Sequence, residues 1–372
     1  MIYFDNAATT IVDKEVLKSF NEINTRFFAN PASSHKLGQE TFNLENIARR
    51  NIAKIFASKE EEIIFTSGAT ESNNLAIKGC AFRYQNRGKH IITTKVEHPS
   101  VLNAFRQLED FGFSVTYLDV DKDGKVSFEE LKEAIRDDTI LVSIMSVNNE
   151  VGTINDIEGI AKYLKTFPKI VFHTDATQAI GKIDIDYKNV DLVSLSAHKL
   201  HGFKGSGALI KRANIDLLPI ASGGGQEFSY RSGTNNFPYE ICLAKTLRIA
   251  YEKQKENYEK VKKLNDRLRE ELNKMHGVKI NSPLDASPYI LNFSTVKKAS
   301  VVAEGLSLKE IYVSTKSACS SKKSPTSYVL QAMGRDEFDS ANAIRVSFSN
   351  ENTLEEIDIF VKELSNILLK LK

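Results

Sequence analysis

Between residues 60 and 210 the chain repeats one rhythm: short apolar runs rich in Val and Ile, alternating with helical patterns. The runs are EIIFTSG, HIITT, SVTYL, TILVSIMSV, KIVFHTD, VDLVSLS and GALI. Strands that are apolar on both faces need cover on both faces. The rhythm therefore predicts an α/β domain with a largely parallel sheet between layers of helices. In such sheets ligands bind where strands end and loops begin. Polar clusters stand at several of those exits: SGATESNN after EIIFT, KVEHPS after HIITT, VNNEVGT after LVSIMS and DATQAIG after VFHT.

Beyond this region, residues 244 to 275 show helical periodicity with heavy mixed charge, as expected of one long, partly exposed helix joining two domains. SPYILNFST and AIRVSFS then read as strands, separated by a loop holding Cys319, and residues 353 to 371 as a closing amphipathic helix. The expected division is a large α/β domain over 12–253 and a smaller α+β domain built from 1–11 plus 254–372.

A chain of 372 residues, 41% of them hydrophobic, can bury a large core, and a net charge of +2 gives no broad basic field for nucleic acid. MIYFDNAATT lacks the basic start of a secretory signal, and no apolar run reaches the roughly 18 residues that span a bilayer. A cytoplasmic protein is expected. Three cysteines, Cys80, Cys242 and Cys319, are too few and too scattered for a disulfide framework or a thiolate metal cage, and no metal site is expected.

Lys199 follows the run LVSLS, between His198 and a loop with Gly202, Gly205 and Gly207. A lysine held at a strand exit among small residues can be desolvated and so become nucleophilic, though alone it reads more readily as a solvated loop lysine. Asp175 ends the run KIVFHT and is aimed at the same sheet edge. It could keep a pyridine ring protonated, or it could cap a helix beginning near Gln178. The SGATE turn opens a helix whose free N–H groups suit a phosphate. His98 stands before a proline-started helix, placed to stack on a ring or to cap. DVDKDGKVSFEE has the spacing of a calcium loop, but GFSVTYLDV entering it alternates like a strand, which favours a plain acidic turn.

Taken together, YFDNAATT, NPASSH, FTSGATESNNLAIKG, EHPSV, VNNEVG, HTDATQAIGK, SAHKLHGFKG, RSGTNN, SACSS and IRVSFS resemble, in order, the cysteine desulfurases. These form a branch of the class V aminotransferases, fold-type I pyridoxal-phosphate enzymes. The resemblance implies Lys199 as the Schiff-base lysine, Asp175 as partner of the pyridinium nitrogen, His98 as stacked ring and acid/base, and Gln178 on the phenolic oxygen. It implies Ala69, Thr70, Ser196 and His198 on the phosphate, with Thr234 reaching in from the second subunit of a homodimer. It further implies Asn30, Asn149 and Arg345 on the carboxylate of L-cysteine. Cys319 would take the sulfur as a persulfide for an acceptor protein, a tRNA-thiolation enzyme or an iron–sulfur scaffold. A thiolate suits that role, and SACSSKKSPTS is too polar for a buried thiol. The long stretch after Cys319 resembles the group with a long catalytic loop, although Lys316 stands where much of the family has glycine.

Overall fold

A computed structural model describes residues 1–315 and 326–370. Its strands are β1 (Ile2–Tyr3), β2 (Ile63–Thr66), β3 (His90–Thr94), β4 (Ser114–Leu118), β5 (Thr139–Ser143), β6 (Val171–Asp175), β7 (Leu192–Ser196), β8 (Gly207–Lys211), β9 (Val278–Ile280), β10 (Ile290–Thr295), β11 (Ile311–Tyr312) and β12 (Ala343–Ser347). Seven of them form the central sheet, in the order β2-β8-β7-β6-β5-β3-β4. All its pairings are parallel except the two made by β8, which runs against both β7 and β2. The fold is thus the expected α/β architecture with a mostly parallel sheet, matching fold-type I.

The apolar runs behave as two-faced strands should. Ile63, Phe65, Ile92, Val142, Phe172, Val193 and Ile210 point into one apolar layer, while their neighbours Ile64, Ile91, Leu141, Val171, Leu192 and Leu209 point into the other. This is the period of two read across adjacent strands. Only β4, at the sheet edge, is partly exposed along most of its length. It enters the acidic turn as an extended strand, and Asp121 there accepts the N–H groups of Asp123 and Lys125, an ordinary turn geometry.

A further core gathers Ile2, Phe4 and Ala7 with Leu264, Leu268, Phe293, Ile344 and Phe360. Beside it β1 pairs with β11, and β10 lies between β9 and β12.

Two local expectations are corrected. The helical run 244 to 275 is not one helix: it breaks at Lys253 into Phe237–Glu252 and Gln254–Asn273. The first half buries Leu243, Ala244 and Leu247 against the sheet's layer, whereas the second buries Val261, Leu264 and Leu268 in the other core, so the axis must turn between them. Nor does a helix begin near Gln178. Residues 177–182 form successive turns, started by Asp175 Oδ1 accepting the Thr177 N–H at 3.0 Å. Gly181, at φ +67°, lies so close to Ala250 that a Cβ would sit 2.7 Å from that methyl.

Candidate active site

The exits of five strands, β2, β3, β5, β6 and β7, and the N-terminal segment meet around a cavity of about 380 Å³. Its walls include Ala7, Ala8, Ser67, Gly68, Ala69, Thr70, His98, Asn149, Asp175, Gln178, Ser196, His198, Lys199 and Arg345. At one end the helix Ala69–Tyr84 begins without a side-chain cap. Its first N–H groups therefore lack intrahelical partners and can take an anion. The approach is tight. Gly68 has φ +143°, and a Cβ on Gly207 would lie 2.6 Å from the Gly68 Cα.

Asp175, the last residue of β6, is held from two sides. Asn73 Nδ2 donates to its Oδ2 at 2.7 Å and the Thr177 N–H to its Oδ1. Asn73 Nδ2 also donates to Ser100 Oγ at 2.9 Å, and Ser100 Oγ lies 2.8 Å from His98 Nδ1. The Ser100 backbone N–H donates to the same Nδ1, so the ring accepts there and carries its proton on Nε2. Burial, together with the charge of Lys199, lowers the pKa of His98 against the opposing pull of Asp175. The lowered pKa and the accepting Nδ1 both favour the neutral ring of His98. It is a helix cap and a cavity wall at once, since it also starts the helix Pro99–Asp110.

Lys199 donates to the carbonyls of Ala7 at 2.7 Å and Ala8 at 2.5 Å. Beside it, burial and the charges of Lys199, Lys204 and Lys182 push His198 down to about 4. A neutral imidazole there can offer a hydrogen bond to an anion without a second proton to lose. Arg345, on β12, donates from Nη1 to the Asn149 carbonyl and from Nη2 to Asp5 Oδ1, both at 2.8 Å. Its Nε, with Asn149 Oδ1 and Thr177 Oγ1, is buried without a partner among the described residues. All three belong to residues lining the cavity.

Residues 2–360 match the aminotransferase class-V family. The chain belongs to that family. It is 43% identical over 373 residues, 99% of this chain and 97% of the other, to a NifS/IcsS protein homolog of Lactobacillus delbrueckii subsp. bulgaricus. It is 44% identical over 383 residues, 100% of this chain and 93% of the other, to a protein named cysteine desulfurase IscS of Glaesserella parasuis serovar 5. A solved NifS-like protein superimposes with a TM-score of 0.94 at 39% identity, with both chains covered in full (100%).

The family's cofactor is pyridoxal 5′-phosphate, and the donor set fits it. An amine, a carboxylate fixed by two donors, a flat neutral imidazole and an uncapped helix start face one cavity, together with buried polar atoms still awaiting partners.

Of the residues singled out in the sequence, ten come together here: Ala69, Thr70, His98, Asn149, Asp175, Gln178, Ser196, His198, Lys199 and Arg345. Asn30 does not join them. It is exposed, outside the cavity wall, with its Oδ1 turned back to accept the Ala32 N–H at 2.8 Å. Thr234 is likewise exposed and away from its own chain's cavity. Cys319 lies outside the described residues. Sequence reading missed Asp5, Ala7, Ala8 and Asn73. For Asn73 a signal existed, since it follows Ala69 by one helical turn and so shares its face.

Proposed function

We propose that this cavity is where L-cysteine becomes L-alanine, with Cys319 receiving the sulfur as a persulfide and passing it to an acceptor protein. The chain is a pyridoxal-phosphate-dependent cysteine desulfurase, as its family and its full-length relatives indicate. The bound cofactor supplies an electron sink for the substrate's α-carbon.

Lys199 provides the amine that attaches the cofactor, and the Ala7 and Ala8 carbonyls keep that amine at the cavity wall. Asp175, immobilised by Asn73, would keep the cofactor's ring nitrogen protonated, and His98, whose proton sits on Nε2, would lie against the ring and serve as acid/base. Ala69, Thr70, Ser196 and His198 take the phosphate at the open helix end. Gln178 would donate to the phenolic oxygen from the cavity wall. Arg345, through the Nε left open beside its Asp5 pair, takes the substrate carboxylate together with Asn149. Asn30 is proposed for the same carboxylate, from a position outside its own chain's cavity wall.

The single observation that carries the reading is that Lys199 after β7, Asp175 at the end of β6 and Arg345 within β12 face one cavity. Cys319 is supported by its anchor. Ser314 pairs with Arg345 through N–H to carbonyl bonds of 3.1 and 2.7 Å, so the chain leads toward Cys319 from beside the carboxylate site. The exposure of Thr234 suits a residue that serves a second subunit, and we assign a homodimer with shared sites. The separate cores support domains at 12–253 and 1–11 plus 254–372. Among the described residues no helix is long and apolar enough to cross a membrane. We propose cytoplasmic work for the protein, handing sulfur to a tRNA-thiolation enzyme or an iron–sulfur scaffold, in keeping with a chain of only three cysteines.

The test is Lys199→Ala. The wild type should be yellow and form alanine from L-cysteine, and the variant should lose both properties while still folding. A variant that keeps the visible band and the turnover would refute the assignment.

A further inference from the structure

Lys182 stands in the turns after β6, in a position that none of the roles above uses. It is only 8% exposed, and its Nζ lies 3.3 Å from Gln178 Oε1 and 5.5 Å from the centre of the Tyr289 ring. On the other side of the same carboxamide, Gln178 Nε2 donates to the Ala7 carbonyl at 3.0 Å, the carbonyl that also accepts from Lys199.

A carboxamide has two ends of nearly equal size and opposite hydrogen-bonding sense, so which end meets a ligand is a choice its neighbours make. An ammonium can only donate, and it therefore draws Oε1 toward itself and turns the NH₂ away. The Ala7 carbonyl uses one of those two hydrogens, leaving the other for the cavity that Gln178 lines. Burial and the charges of Lys199 and Arg345 push Lys182 down to about 7, yet the neutral amine still presents N–H to Oε1.

We infer that Lys182 is a positioning residue that fixes Gln178 as a hydrogen-bond donor toward the cofactor's phenolic oxygen. The inference rests on the proposed contact between Gln178 and that oxygen. A donor at an anionic oxygen favours its ionised form. Losing the donor should therefore raise the pH midpoint at which the visible band of the resting holoenzyme changes.

The experiment is a spectrophotometric pH titration of the holoenzyme in four forms: wild type, Gln178→Ala, Lys182→Met and the double variant. Gln178→Ala should raise the midpoint, Lys182→Met should raise it by a similar amount, and the double variant should go no further, the non-additivity of residues that act as one unit. Lys182→Arg, which restores a donor to Oε1, should return the midpoint toward wild type. If Lys182→Met fails to fold, Lys182→Leu, which likewise offers Oε1 no donor, carries the same expectation. A double variant showing the sum of the two shifts would mean that Lys182 acts by its charge alone and would overturn the inference, as would an unmoved midpoint in Lys182→Met beside a raised one in Gln178→Ala. An unmoved midpoint in Gln178→Ala would instead sink the underlying contact, and the inference with it.

Discussion

Arg49 and Arg345 are both buried, at 4% and 2% exposure, and both are ion-paired, yet their nitrogens end differently. Arg49 makes four hydrogen bonds, to the Ile63 carbonyl, to Glu45 and twice to Glu227, and its guanidinium lies over the rings of Phe65 and Phe228. Burial alone would lower its pKa, but the bonds and charges of Glu227 and Glu45 win and raise it. Burial first, and then those same two carboxylates, raise the pKa of the neighbouring Glu240 well above the ordinary carboxylate value. This cluster ties down an awkward stretch, for Glu227, Phe228 and Ser229 have φ of 48°, 55° and 70°, left-handed values that non-glycine residues adopt at a cost. Arg345 keeps an Nε unpartnered among the described residues, in a cavity wall. A buried arginine whose two terminal nitrogens are filled by its own fold holds that fold together, whereas one with a buried nitrogen left open on a cavity is prepared for something to arrive.

The contrast can be broken most forcefully at Arg49. Arg49→Met strands two carboxylates and should lower unfolding stability by about 3–5 kcal/mol, the usual penalty for removing one partner of a buried pair. Denaturant titration measures it, and a loss under about 1 kcal/mol would show that the cluster is not structural. Arg345→Lys should do the reverse. Lysine can keep the Asp5 pair but loses the planar fork, so KM for L-cysteine should rise about ten- to a hundredfold, as loss of a charged hydrogen bond predicts, with little change in melting temperature. An unchanged KM would remove Arg345 from the substrate site.

A smaller effect separates the two regions by pH. His198 at the cavity and His173 beneath it are both held down to about 4 by burial, with Asp175 opposing for His173 and nearby lysines assisting for His198. Their unfolded forms take up protons at about 6.5. The stability they allow is therefore complete above that value and is lost as pH falls toward 4. Glu97, raised to about 8 by burial, has the opposite sign and costs stability as pH climbs from about 4.5 toward 8. Replacing His198 with Gln should flatten the acid side of the profile, and an unaltered slope would argue against a buried neutral imidazole.

The sheet was legible because its strands are apolar on both faces, and Asp175 and Lys199 could be placed at its edge because each ends or follows such a run. The pairing of Asp5 with Arg345 was not legible. It joins residues 340 positions apart through a fold that periodicity does not encode. The break at Lys253 escaped for a related reason, since the helical pattern continues through it and only the division of the two cores turns the axis. Asn30 rests on its motif alone, because its Oδ1 accepts the Ala32 N–H in its own turn and periodicity says nothing of where that turn lies.

The most direct test follows the sulfur. Cys80 and Cys242 are buried, and burial pushes the Cys80 thiol well up and that of Cys242 to about 12, so neither can supply a thiolate nucleophile. Mass spectrometry of the holoenzyme after a single turnover with L-cysteine should find one added sulfur on the peptide carrying Cys319 and none on the peptides carrying Cys80 or Cys242. Cys319→Ser should still bind cofactor and respond spectrally to L-cysteine, yet release no sulfide in the presence of a reductant. Sulfur found on Cys80 or Cys242, or full turnover in Cys319→Ser, would contradict the account.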